Sequence, residues 1–177
     1  RGGVFAGSRG CRLRLQKLVY WVANAWFEQR RKGFSYHFYR YNNGPFTKDL
    51  YQSQGDLATA GYLRAGQSLS VDLTPNGQRV ADALIADVWS QGSNKPFWED
   101  IQAAIRELAT VPTFDLVSRV YDLQVTPIGG DSPVRVADIP LHTDLIRNLD
   151  EDEATQGLVM PKMWTTMLEH TTAEQTC

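Results

Sequence analysis

The side chains able to do chemistry are few and scattered. His37, His142 and His170 are the three histidines, and none has a second histidine at i,i+4 or a cysteine beside it. The three or four convergent ligands of a metal site are therefore not visible in the spacing. His142 stands two residues before Asp144, and His37 lies in an aromatic stretch. Either could be an acid–base group, although a hydrogen-bonded or exposed histidine with no reaction to perform is far commoner. Cys11 and Cys177 sit near the two ends, without a second Cys or a His at ligand spacing. Two thiols in a chain of this size fit a reducing cytoplasm rather than a disulfide scaffold. No Gly-x-Ser-x-Gly elbow or Gly-Lys-Ser/Thr phosphate loop occurs, and Gly2-Gly3 and Gly129-Gly130 are too short to mean a nucleotide site. The expectation is no enzyme, no metal and no cofactor.

The elements that would position such groups are easier to read. Leu15, Leu18, Val19, Val22 and Trp26 recur at three and four residues, and Tyr20, Trp21 and Phe27 broaden that face. This predicts a helix central to the core, with Gly33 as its left-handed cap. Phe34 to Tyr41 reads as a strand, with Phe34, Tyr36 and Phe38 on one side and His37, Tyr39 and Tyr41 on the other. An open second side would be a stacking or protein-contact surface. Asn42-Asn43-Gly44-Pro45 reads as a turn into a helix capped by Thr47, with Leu50, Leu57 and Ala60 inward and an end at Gly61. Tyr62-Leu63 and Leu69–Leu73 predict a hairpin around Ala65-Gly66-Gln67. Thr74-Pro75 starts a helix with Val80, Leu84, Ile85 and Val88 inward.

Gly92-Ser93-Asn94 reads as a linker. A fourth helix from Pro96 carries Phe97, Ile101, Ala104, Ile105 and Leu108, and a fifth after Pro112-Thr113 carries Leu116, Val117, Val120 and Tyr121. Thr126 to Pro133 is a Pro/Gly loop and a predicted boundary. Beyond it lie a short strand at Val134 and Val136, the acidic run Asp150–Glu153, and a short helix from Pro161 with Met163, Trp164, Met167 and Leu168. The chain is thus expected to be mainly α with a small antiparallel β-hairpin or sheet: a winged-helix-like core with additional C-terminal helices. Residues 1–12 read as a flexible leader, 13–125 as the domain, and 126–177 as an extension packing on the core or partly flexible.

With 177 residues and 42% hydrophobic content the chain can bury one real core. No apolar run approaches the roughly 20 residues of a membrane helix, and Arg1 to Gly10 lacks the apolar centre of a signal peptide. A cytoplasmic protein with no membrane partner is expected. Charge is unevenly distributed: residues 1–64 hold 11 Lys/Arg against 3 Asp/Glu, and residues 65–177 hold 7 against 17. The basic half could meet phosphates or an acidic protein surface, or the two halves could attract each other within one fold.

Four short motifs in this order resemble the Panacea domain superfamily, to which SocA-like antitoxins belong. They are Lys17-Leu18-Val19-Tyr20, then Gly44-Pro45 with Thr47 and Leu50, then Gly61-Tyr62-Leu63, then Leu73-Thr74-Pro75-Asn76-Gly77. Val120-Tyr121 looks like a later family segment, so the resemblance covers roughly residues 13 to 125. Many members carry Tyr immediately before Gly-Pro, where this chain has Asn43.

The resemblance implies protein binding: an antitoxin-like domain that neutralises a small toxin by direct contact, or an adaptor that presents the toxin to a protease. Its partner surface would then include Tyr39, Arg40, Tyr41, Asn43, Gly44 and Pro45. The alternative is a winged-helix DNA-binding transcriptional regulator using Lys48, Gln52 and Arg64. That reading is thinly supplied with cations, because Asp49 and Asp56 share the helix with Lys48.

Overall fold

The helix α1 (Gly10–Glu28) contributes to every hydrophobic cluster among the described residues: Tyr20 and Ala23 to one, Val22 and Trp26 to a second, Leu18 to a third. A helix apolar around most of its girth has no solvent face to spare, so the other elements close around it. The structure, a computed structural model, describes residues 10–64, 72–162 and 164. It is mainly helical with a small antiparallel sheet.

After α1 come β1 (Arg31–Lys32), β2 (Phe38–Tyr41), β3 (Gly44–Phe46), α2 (Asp49–Thr59) and α3 (Pro75–Leu84). One π-helical turn, Ile85–Trp89, extends α3. Then follow α4 (Lys95–Leu108), α5 (Thr113–Tyr121), β4 (Gln124–Val125), β5 (Val134–Arg135), β6 (Asp144–Ile146) and β7 (Gln156–Gly157). The sheet has the order β3-β2-β6, all antiparallel, with Tyr39 opposite Phe46, Arg40 opposite Pro45 and Phe38 opposite Ile146. β1 pairs with β7 in parallel, and β4 pairs with β5. Val136, Ile139, Leu145 and Ile146 join Tyr20, Phe38 and Val120 in one cluster, so residues beyond 125 help to build the core on the sheet side of α1.

Several local expectations change. α1 ends at Glu28, and the left-handed residue after it is Arg30 (φ 54°), not Gly33. Gly33 is needed for a different reason: a Cβ there would stand 2.0 Å from Cε3 of the buried Trp26. The strand is shorter than Phe34 to Tyr41 and begins at Phe38. Gly44-Pro45 is not the turn itself. The turn is Asn42-Asn43, and Gly44 (φ 88°) and Pro45 are buried strand residues of a hairpin. Pro45 has no N–H to lose there, since β3 is an edge strand.

Lys48 rather than Thr47 occupies the cap position of α2, but Thr47 Oγ1 still accepts from Asp49 N–H at 3.2 Å, one residue earlier than a standard cap. Leu57, Ile85 and Ile105 are each more than 40% exposed among the described residues, so only Leu50, Val88, Phe97, Ala104 and Leu108 of those stripes are fully inward. The supposed linker is fixed: Asn94 is fully buried, donates to Val88 O and Val159 O, and accepts from Val159 N–H. Thr74 caps α3 as expected, accepting from Gly77 N–H at 3.0 Å with Pro75 at the first position. The predicted hairpin is represented by an antiparallel bridge between Leu63 and Leu73. Its turn, together with Leu69 and Val71, lies outside the described residues, as do Met163, Met167 and Leu168.

Two glycines give opposite predictions. Gly33→Ala forces a methyl group into the Trp26 ring and should destabilise by about 1–3 kcal/mol. Gly55→Ala, inside α2 with open space around it, should stabilise by about 0.5–1 kcal/mol. Urea melts of the two variants check both signs, and a neutral Gly33→Ala would contradict the close approach to Trp26.

Candidate functional site: an aromatic face over a buried lysine

The alternation of β2 separates two kinds of side chain. Phe38 and Arg40 point inward, while Tyr39 and Tyr41 point outward. The outward pair meets Phe46 from β3 and His142 from the loop before β6, and Phe46 in turn meets Tyr51 from α2. Tyr39 and Tyr41 lie 5.6 and 5.4 Å from the Phe46 ring, and Phe46 lies 5.5 Å from Tyr51. His142 stacks on Tyr39 at 6.3 Å and meets Tyr41 edge-on at 5.8 Å. It does so from a left-handed backbone (φ 67°) whose N–H donates to Arg40 O. Tyr41 and Tyr51 remain 39% and 36% exposed. A concavity of about 620 Å³ opens over Tyr39, Tyr41 and His142, and a second of about 470 Å³ opens between α1, the hairpin and Tyr51. Tyr41 and Phe46 form the ridge shared by both.

Under this face lies a set of buried polar side chains from α1. Gln16 holds the chain entering α2 by both ends of its amide: Nε2 donates to Thr47 O at 2.7 Å, and Oε1 accepts from Thr47 N–H at 3.1 Å. Lys17 donates to Pro45 O at 2.7 Å. Burial, and then the charge of nearby Arg40, pull the Lys17 ammonium down from its ordinary value to about 7. Tyr20 is fully buried with its hydroxyl on Asn24 Oδ1, and burial raises its pKa.

The expected partner residues divide between the two sides of the hairpin. Tyr39, Tyr41 and the turn residue Asn43 lie on the aromatic side and line its concavities. Gly44 lines the smaller concavity from a buried position, and Pro45 is buried with its carbonyl on Lys17. Arg40 lies on the other side. Strand alternation turns it inward, where Nε donates to Val136 O at 3.0 Å, Nη1 donates to Tyr41 O, and the guanidinium lies 4.9 Å over the Tyr121 ring.

Of the alternative DNA-contact residues, Lys48 borders the larger concavity. The Gln52 amide is bonded to Asp56, and Arg64 Nε reaches Leu73 O at 3.5 Å. His37 pairs with Asp144 at 3.0 Å, so the carboxylate near His142 in sequence serves a different histidine. Among the described residues no group of three or more His, Cys, Asp or Glu converges as a metal site, and no helix is long and apolar enough to cross a membrane.

Phe46, Tyr51, His142 and Lys17 escaped sequence reasoning as members of this site. Phe46 and Tyr51 carry a weak signal, being aromatics spaced across a turn and a helix start. His142 joins only through the pairing of β2 with β6, which no local pattern reveals. Compared with protein-family models, curated proteins and solved structures, the chain gives no match in any of the three.

The buried amine makes stability depend on pH in a defined direction. Unfolded, Lys17 keeps its proton to its ordinary 10.5; folded, it releases it near 7. Between those values the unfolded chain binds more protons, so stability rises with pH, by up to about 1.4 kcal/mol per unit. Below 7 both states are protonated and this contribution to the slope vanishes. Urea melts of the parent and Lys17→Met between pH 7 and 10 should therefore diverge, the parent gaining on the variant as pH rises. Parallel curves would contradict the assignment.

Proposed function

We propose that this chain is a protein-interaction domain of the antitoxin type, which neutralises a small toxin by direct binding or presents it to a protease in the cytoplasm. The observation that carries this reading is the partly exposed cluster of Tyr39, Tyr41, Phe46, Tyr51 and His142 over a three-stranded sheet anchored to the core. Large aromatics with polar tips are the side chains that most often dominate protein interfaces, because they bury wide apolar area while their hydroxyls and ring nitrogens stay bonded. The resemblance of Lys17–Tyr20, Gly44-Pro45 and Leu73–Gly77 to Panacea domains points the same way. The role is binding rather than catalysis.

The winged-helix order belongs to this proposal as its finer architecture. It is supported by the Leu63–Leu73 bridge between α2 and the Thr74-capped α3. A DNA-binding regulator would read the duplex with Lys48, Gln52 and Arg64. Gln52 is held by Asp56 on the same helix, which leaves that face with little to offer phosphates or base edges.

The test is co-expression with a growth-inhibiting small protein encoded beside this chain. The parent should bind it and restore growth. Tyr39→Ala with Tyr41→Ala should weaken binding by about 30-fold or more, with the melting midpoint moved by no more than about 3 °C. Salt-sensitive binding to a specific duplex, lost on Lys48→Ala with Arg64→Ala, would overturn this reading in favour of the regulator.

A further inference from the structure

Two basic side chains, Lys17 and Arg40, lie beneath the aromatic face, and among the described residues neither has a carboxylate partner, although six other pairs are present. Lys17 is 2% exposed, and the positive charge of Arg40 acts on it. Buried charges are ordinarily paired, because leaving water without a counter-charge is expensive. An ammonium has three N–H bonds, and Pro45 O takes one.

The Lys17 side chain also borders a concavity. Lys17 lines the concavity of about 470 Å³, with Arg12, Tyr41, Phe46 and Tyr51 around it. Gly44 adds no side chain between the amine and that space. A Cβ at that position would stand 3.4 Å from Lys17 Nζ, and its φ of 88° lies where glycine is preferred. The Arg12 guanidinium lies 5.6 Å over the Tyr51 ring at the rim. The titratable and charged groups around the amine are Arg40 from β2, Tyr121 from α5, Tyr41 from the hairpin, and Arg12 from its own helix.

We propose that this concavity binds one carboxylate, an Asp or Glu side chain of the protein partner, with Lys17 at its floor and Arg12 at its mouth. A monoanion matches the site because uptake of one proton by Lys17 offsets one negative charge. The carboxylate's negative charge also offsets the positive charge of Arg40, which otherwise disfavours the ammonium form of Lys17. Phosphate, which has no apolar stem, would leave the aromatic walls uncovered and set its oxygens against the Pro45 carbonyl, which already faces the amine. The aromatic walls suit the apolar stem that carries the carboxylate. The proposal deepens the interaction reading and rests on it for the source of the carboxylate.

The test uses the full chain and three probes: 3-phenylpropionate, its amide 3-phenylpropanamide, and inorganic phosphate. NMR follows the Lys17 Cε and Nζ signals and the Tyr41 and Phe46 rings at pH 8. Phenylpropionate should shift Lys17 and the rings together and convert Lys17 from mostly amine to mostly ammonium, while the amide and phosphate do neither. Lys17→Met should weaken phenylpropionate binding at least about 10-fold, one lost charge-assisted hydrogen bond. Arg12→Gln, a change at an exposed position, should weaken it measurably with folding unaffected, and keeps the test valid if Lys17→Met fails to fold. Equal binding of acid and amide, preference for phosphate, or a silent Lys17 would overturn the proposal. Because the probes need no partner, the two readings fail separately. Growth rescue with a silent Lys17 overturns this inference alone, and a responsive Lys17 in a chain that rescues nothing overturns the interaction reading.

Discussion

The structure depends on three buried polar side chains of α1, Arg14, Gln16 and Lys17, that reach across to backbone groups of other elements. Arg14 donates to the carbonyls of Leu108, Ala109 and Val111, where α4 ends and its last carbonyls have no helical partner. Its charge also lies at the negative end of that helix dipole. Gln16 closes two hydrogen bonds on the Thr47 peptide groups, and Lys17 takes Pro45 O. One stretch of four residues thus fixes the end of α4, the strand β3 and the entry to α2. Each bond contributes modestly on its own. Breaking one leaves a buried carbonyl or N–H without water, at a cost of about 1–3 kcal/mol per group. These side chains therefore specify position more than they add net stability.

The aromatic face follows from that anchoring. With Pro45 and Thr47 held from below, β3 keeps its register against β2, and strand alternation sends Arg40 down and Tyr39 and Tyr41 up. A slip of one residue would exchange them, putting a tyrosine where the Arg40 guanidinium now meets Val136 O and the Tyr121 ring. The cation–aromatic contact and the Tyr121 hydroxyl on Asn42 O close the hairpin from the α5 side. A face anchored in this way is pre-organised, and a partner that covered it would have little ordering left to impose.

What could be read from sequence was whatever local spacing determines. The apolar period of Leu15 to Trp26 revealed the central helix, Thr74-Pro75 revealed the start of α3, and the alternation through Tyr41 revealed which aromatics face out. Local spacing could not reveal where long polar side chains go. Arg40 reads as a partner-surface residue and Lys17 only as part of a helical motif, yet both are buried, because their acceptors at Val136 and Pro45 come from distant parts of the chain. Gly33 looked like a helix cap because of its position, while its real constraint is the Trp26 ring brought against it by the fold. His142 reached the site through β6, whose three residues carry too weak a pattern to announce a pairing with β2.

The central claim is that α1 sets the aromatic face through its buried polar side chains. The most direct test is residue-resolved amide hydrogen exchange of the parent and Gln16→Leu, a change that keeps volume and removes both bonds to Thr47. Loss of protection at Thr47 and along β2 and β3, with α4 and α5 unchanged, is the predicted result. Unaltered protection across the hairpin, or a loss of the same size in every element, would contradict it.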